Sequence, residues 1–150
     1  MKLSRFCGED LIAFELKSET KEDVIKELVE LASKSKLVKD SEQLLKDILD
    51  REKLVTTGVG YGVAFPHAKS KAVRGIVIAF GRPKKEIDFD SMDKRPTQIF
   101  FLIAAPEDVG GTHLTVMSRL SNLIKNEKNR DKLIKTKSPK DVLELLDSVE

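Results

Sequence analysis

Two apolar runs, VRGIVIAF at 73–80 and TQIFFLIAA at 97–105, constrain the fold of this chain more than any other feature. Both are rich in β-branched or aromatic residues and are bounded by glycine or proline, the pattern of strands. Neither approaches the roughly 18 to 20 uninterrupted apolar residues that a membrane span requires. Amphipathic segments precede and follow this strand cluster. Helices arriving from both sides imply a sheet covered on both faces, so the expected fold class is α/β. The pattern alone leaves the sheet either parallel or mixed.

Upstream, LIAFELK at 11–17 reads as a first strand. Thr20 then stands three residues before Asp23, a helix-capping arrangement, and Val24, Ile25, Leu28, Val29, Leu31 and Ala32 follow at helical spacing. Ser41 reads as the cap of a second helix with Leu44, Leu45, Ile48 and Leu49 on one stripe. That helix delivers Asp50, Arg51 and Glu52 at or just past its end. Between the two apolar runs, 86–95 reads as a short strand and turn. Downstream, Gly110-Gly111-Thr112 leads into a helix carrying Leu114, Met117, Leu120, Leu123 and Ile124, and a short amphipathic piece with Leu133 and Ile134 follows Asn126. Ser138-Pro139-Lys140-Asp141 signals a last helix through a capping serine, a proline at the first helical position and an early acid.

A chain of 150 residues has the size of one domain, 1–150, with about two packed layers or more. Its 27 basic residues face 25 acidic ones, leaving a formal charge of +2. That balance argues against a nucleic-acid binder, which needs a one-sided basic surface. The N-terminus MKLSRFCGED lacks the apolar core of a signal peptide, and no direct membrane insertion is expected. Cys7, the one cysteine, cannot form an intramolecular disulfide, which fits a reducing, cytoplasmic setting. No histidine or basic cluster lies beside Cys7 to activate it as a nucleophile.

The stretch GVGYGVAFPHAKS at 58–70 poses the functional question. Gly58, Gly60 and Gly62 invite comparison with phosphate-binding loops. A Walker A loop needs a following Gly-Lys-Ser/Thr, and a dinucleotide fingerprint needs GxGxxG opening a helix; here the glycines lead into the strand-like Val63-Ala64-Phe65. A tight turn with φ > 0 accounts for the glycines. It does not account for Pro66-His67. Proline cannot continue a central ladder and restricts the residue before it, so the strand is expected to end there and display His67 rigidly.

His113 opens an amphipathic helix directly after Gly110-Gly111-Thr112, and it is the only other histidine. Each histidine sits at an element boundary beside glycines, outside the apolar stripes. Arg51, on the approach to the glycine loop, supplies a permanent cation. Two imidazoles and a guanidinium suit phosphoryl transfer to histidine: one neutral ring nitrogen attacks phosphorus while cations and donors hold the equatorial oxygens. Arginine suits the second task through its bidentate fork. A zinc site would need a third protein ligand, and no HExxH or paired cysteine supplies one, so no metal is expected. Asp88, Asp90, Asp93, Glu107 and Asp108 have no spacing that selects any of them. No GxSxG elbow supports a serine hydrolase.

REKLVTTGVGYGVAFPHAK, with THLTVMSRLSNLI downstream, closely resembles the fructose/mannitol-type IIA domain of the bacterial phosphoenolpyruvate-dependent sugar phosphotransferase system, including its nitrogen-regulatory members. The family pattern is an Arg-Glu pair, a Thr-Gly-x-Gly-x-Gly loop, an apolar-Pro-His unit and a second His-Leu opening a helix. IDFDSMDKRPTQIFFLIAAPE resembles the family's turn and strand between the histidines. The resemblance implies a three-layer sandwich, a mixed β-sheet flanked by helices on both faces. It implies that His67 is phosphorylated, that His113 and Arg51 contact the phosphoryl group, and that Thr57, Gly58, Gly60 and Gly62 shape the pocket rim. It further implies an HPr-like histidine phosphocarrier as donor, and a cysteine on a IIB domain as acceptor in sugar uptake, with no cofactor beyond the relayed phosphoryl group. The alternative within the family is a regulatory member whose His67 phosphorylation controls protein–protein binding. Three departures stand out: Tyr61 where many relatives carry Asn, Lys94 where a turn glycine is common, and Ser118 and Ser121 in a helix usually richer in alanine.

Overall fold

The first regular strand, Ile12–Leu16 (β1), is an edge strand that follows two short 3-10 turns. The computed structural model describes residues 1–149; Glu150, the last residue of the expected domain, lies outside them. Helix Lys21–Ala32 (α1) starts where the capping pattern predicts, with the Thr20 side chain accepting from the Asp23 N–H at 3.2 Å. Helix Ser41–Leu54 (α2) is capped by Asp40 instead of Ser41: Asp40 Oδ1 accepts from the Gln43 N–H at 3.1 Å, and Ser41 is the first helical residue. Both side chains are good caps, so composition could not choose between adjacent positions. Asp50, Arg51 and Glu52 lie inside the last turns of α2, because the helix continues to Leu54.

Three short strands follow, Gly58–Gly60 (β2), Val63–Ala64 (β3) and His67–Lys69 (β4). The two long ones are Val77–Pro83 (β5) and Ile99–Ala105 (β6). The first apolar run thus enters the sheet four residues later than its composition suggests, and Val73 forms only an isolated bridge with Val38. The 86–95 segment likewise contributes only an isolated bridge, Ile87 with Thr97, and otherwise runs as a turn. Lys94 sits in that turn at φ +62, a left-handed conformation that costs a residue with a Cβ.

The sheet runs β1-β5-β6-β3-β2, with β4 also paired to β6. It is mixed: β1 is parallel to β5, β6 is antiparallel to β5, and β3 and β4 both lie parallel to β6. Every residue of β6 is buried, as a strand covered on both faces must be. Helices α1 and α2 pack on each other and against β1, β5 and β4. Helices Thr112–Lys125 (α3), Glu127–Lys135 (α4) and Pro139–Asp147 (α5) pack together as the other outer layer. The α/β sandwich read from the element order is the one observed.

The interruption at Pro66 positions the histidine. Val63 pairs with Ile99 and His67 with Ile103, so the register along β6 is the same before and after the proline. The Pro66 carbonyl still accepts from the Ile103 N–H at 3.0 Å. Proline therefore removes one donor and fixes one φ without releasing the chain from the central strand.

Candidate active site

His67 begins β4 half-buried, and its neighbours Phe65 and Ala68 are buried in the core. Its Nδ1 lies 2.7 Å from the Phe65 carbonyl oxygen. A carbonyl only accepts, so Nδ1 carries the proton and donates, which leaves the Nε2 lone pair free. Burial pushes the imidazole below the ordinary histidine pKa; the Phe65 hydrogen bond opposes this, while Arg51 lowers it further and Glu52 raises it. The neutral, nucleophilic form is favoured.

His113 lies across the cleft, its ring centroid 5.9 Å from that of His67. It is in the first turn of α3, yet only 7% of it is exposed, and Nδ1 has no hydrogen-bond partner among the described residues. The stripe of α3 that faces the core is His113, Val116, Leu120, Leu123 and Ile124, while Leu114 is 71% exposed. The sequence reading placed Leu114 inward and His113 outside the stripe. One residue of helical phase separates the two, and at a helix start there are no upstream turns to fix it. Burial lowers the His113 pKa first, and the positive potential of His67 and Lys69 lowers it further.

Arg51 reaches the same cleft from the last turn of α2. One guanidinium N–H donates to the Val55 carbonyl at 3.0 Å, which anchors the side chain over the helix end and leaves other donors free. The cleft has a volume of about 550 Å³ and is lined by Arg51, His67, His113 and Lys69, with Asp47, Asp50 and Glu107 at its acidic side and the exposed Leu54 beside them. Two of these carboxylates are engaged: Asp50 pairs with Lys46 at 2.8 Å, and Asp47 accepts from the Ser70 hydroxyl at 2.6 Å. Lys69 was missed in the sequence reading, although two-residue periodicity along a strand puts it on the face of His67.

The structure therefore brings together Arg51, His67 and His113. Thr57, Gly58, Gly60 and Gly62 stand outside the cleft lining. Thr57 is buried, and its hydroxyl and N–H both donate to Glu52. Gly60 adopts φ +96, and Gly58 packs so closely on Ser91 that a Cβ would lie 2.9 Å from the Ser91 Cα. Among the described residues no group of three or more His, Cys, Asp or Glu is placed to hold a metal ion, and no helix is long and apolar enough to cross a membrane.

Solved proteins share this arrangement of layers. The nitrogen regulatory protein IIA-Ntr of Neisseria meningitidis superposes with a TM-score of 0.89 at 28% identity, covering 96% of this chain and 98% of that one. The mannitol IIA enzyme of Escherichia coli, solved in complex with phosphorylated mannitol IIB enzyme, superposes with a TM-score of 0.79 at 29% identity, covering 93% and 95%. The family model for EIIA 2 of the phosphoenolpyruvate-dependent sugar phosphotransferase system matches residues 5–149, and the chain belongs to that family. Among sequence relatives, a fructose-specific EIIA component of this system from Haloferax volcanii is 39% identical over 147 residues, 98% of this chain and 96% of the relative. A fructose-specific EIIABC component from Bacillus subtilis is 36% identical over 146 residues, but those make up 97% of this chain and only 23% of the longer protein.

Proposed function

We propose that the chain carries a phosphoryl group on Nε2 of His67, taking it from an HPr-like histidine phosphocarrier and passing it to a cysteine of a IIB domain. The carrying observation is the hydrogen bond from His67 Nδ1 to the Phe65 carbonyl, which leaves the Nε2 lone pair of that ring free in a cleft shared with Arg51 and His113. In the forward step the Nε2 lone pair forms a bond to phosphorus as the donor's N–P bond breaks, and the donor imidazole leaves with that electron pair. Arg51 holds the equatorial oxygens, and His113 donates a hydrogen bond to the same group. In the second step a IIB thiolate attacks phosphorus and Nε2 leaves, with Nδ1 still protonated toward Phe65. Membership of the IIA family and the likeness to a IIA solved with phosphorylated IIB support this assignment.

A second reading rests on the likeness to IIA-Ntr: phosphorylation of the same His67 acts as a switch on binding to other proteins. Phosphate adds about two negative charges at the cleft mouth, enough to invert local complementarity. One experiment addresses both. Incubation with phosphoenolpyruvate, Enzyme I and a histidine phosphocarrier is expected to give an acid-labile, base-stable label that His67→Ala abolishes. Equal labelling of the two proteins overturns the site. Onward passage of the label to a IIB cysteine supports transport; a retained label that changes partner binding supports the switch.

A further inference from the structure

Glu52 is a buried carboxylate, 7% exposed, next to Arg51 on α2 and turned away from the cleft. Its Oε2 accepts the Thr57 N–H at 2.7 Å, and its Oε1 accepts the Thr57 hydroxyl. The Lys21 ammonium, from the first turn of α1, lies 3.1 Å from Oε2 and 4.6 Å over the Phe89 ring. Beyond Thr57 the hydrogen bonds continue toward the histidine: the Thr57 carbonyl accepts from the Phe65 N–H at 3.0 Å, and the Phe65 carbonyl accepts from His67 Nδ1 at 2.7 Å. A single path of hydrogen bonds thus runs from Glu52 through two backbone units to the imidazole.

We infer that Glu52 is a positioning residue, fixing the His67 ring through Thr57 and Phe65 and keeping it in step with the helical turn that carries Arg51. The inference rests on the reading of His67 as phosphoryl acceptor. Two features carry it beyond a role in stability. Pairing a buried carboxylate with a partly buried ammonium gains little over well-packed apolar side chains of the same volume, whereas the pair imposes directions that apolar packing does not. Glu52 also takes both hydrogen-bond donors of one residue, Thr57, at the point where α2 hands over to the glycine hairpin. This fixes the offset between α2 and the strand that begins at His67. A phosphoryl group held by both Arg51 and His67 requires that offset to be constant, since small misplacements cost transfer rate steeply.

The test compares Glu52→Gln and Thr57→Val with wild type in three readouts: phosphoryl transfer from a histidine phosphocarrier with kcat and KM separated, the proton-coupled nitrogen NMR signal of His67 Nδ1, and thermal stability. Glutamine keeps the shape but cannot accept from all three donors at once. In both variants kcat is expected to fall by about 10- to 100-fold with little change in KM, alongside weakening of the His67 Nδ1–H signal. A lower melting temperature with unchanged kcat and an intact Nδ1–H signal would make Glu52 a fold residue only and overturn the inference. Should Glu52→Gln not fold, Thr57→Val, which removes one arm alone, decides in the same way. Should wild type take no label, the phosphocarrier reading falls, and the Nδ1–H signal still decides whether Glu52 positions the ring.

Discussion

His67 differs from an ordinary surface histidine in having one nitrogen already committed. With Nδ1–H held by the Phe65 carbonyl, the ring has one tautomer and one free lone pair, and burial disfavours protonating that pair. Titration of isotope-labelled protein by NMR is expected to show His67 with Nδ1 protonated throughout the neutral range and a midpoint below the ordinary value of about 6.5. A midpoint above that value, or a mixture of tautomers, would remove the basis for Nε2 as nucleophile. The sequence marked His67 because Pro66 is expected to end the strand there; the ladder on β6 instead resumes at His67 in unchanged register. The sequence could not mark the nitrogen, which depends on a carbonyl two residues back turning toward the ring. His113 was legible as a partner but not as a buried one. Leucine at 114 is the more apolar of two adjacent residues, and hydrophobicity alone cannot rank a histidine that the cleft requires.

At the scale of elements, the glycine hairpin shapes the approach to the site without lining it. Gly58 is required by contact: its carbonyl accepts from the Met92 N–H at 3.0 Å, and Ser91 occupies the space a side chain would need. The expectation that the glycines serve left-handed turns holds for Gly60 and Gly62, at φ +96 and +75. It misses Gly58, because close approach between segments more than thirty residues apart leaves no mark in local sequence. Gly58→Ala is expected to destabilise the fold by about 1–3 kcal/mol, since the added Cβ meets the Ser91 Cα as well as its side chain, and backbone cannot swing aside. Urea denaturation checks this, and a change within error would mean that the Ser91 segment yields freely. Strand boundaries were the other illegible part. The run at 73–80 is apolar from its start, yet pairing begins only at Val77, since Ala72, Val73 and Ile76 are buried without joining the ladder. Burial and strand pairing leave the same signature in composition, and only the neighbour, here β6, tells them apart.

For the whole molecule, the site joins three features far apart in sequence: the end of α2, a strand interrupted at Pro66 and the start of α3. Their convergence on one cleft places two histidines, Arg51 and Lys69 within a few side chains of one another. Until a phosphoryl group arrives, this arrangement opposes protonation of either ring, and both pKa values lie below the ordinary histidine value. In the unfolded chain the same rings return to about 6.5 and bind protons more readily than in the folded state. The histidine contribution to stability is therefore fully present above about pH 6.5 and is lost as pH falls through the folded-state values. The half-buried carboxylate of Glu27 also favours the folded state: partial burial raises its pKa, but the Ser18 hydroxyl and the Lys17 and Ser18 N–H groups that donate to it lower it below 4.5 overall, so it acts in a more acidic window. Urea unfolding of wild type and of the His67→Gln/His113→Gln variant from pH 8 to pH 5 separates the two contributions. Wild type is expected to lose stability more steeply between pH 7 and pH 5 than the variant, with the curves converging in slope above pH 7. Parallel curves over the whole range would mean that the cleft does not oppose protonation, and that its cations are too well screened by water to act on the rings.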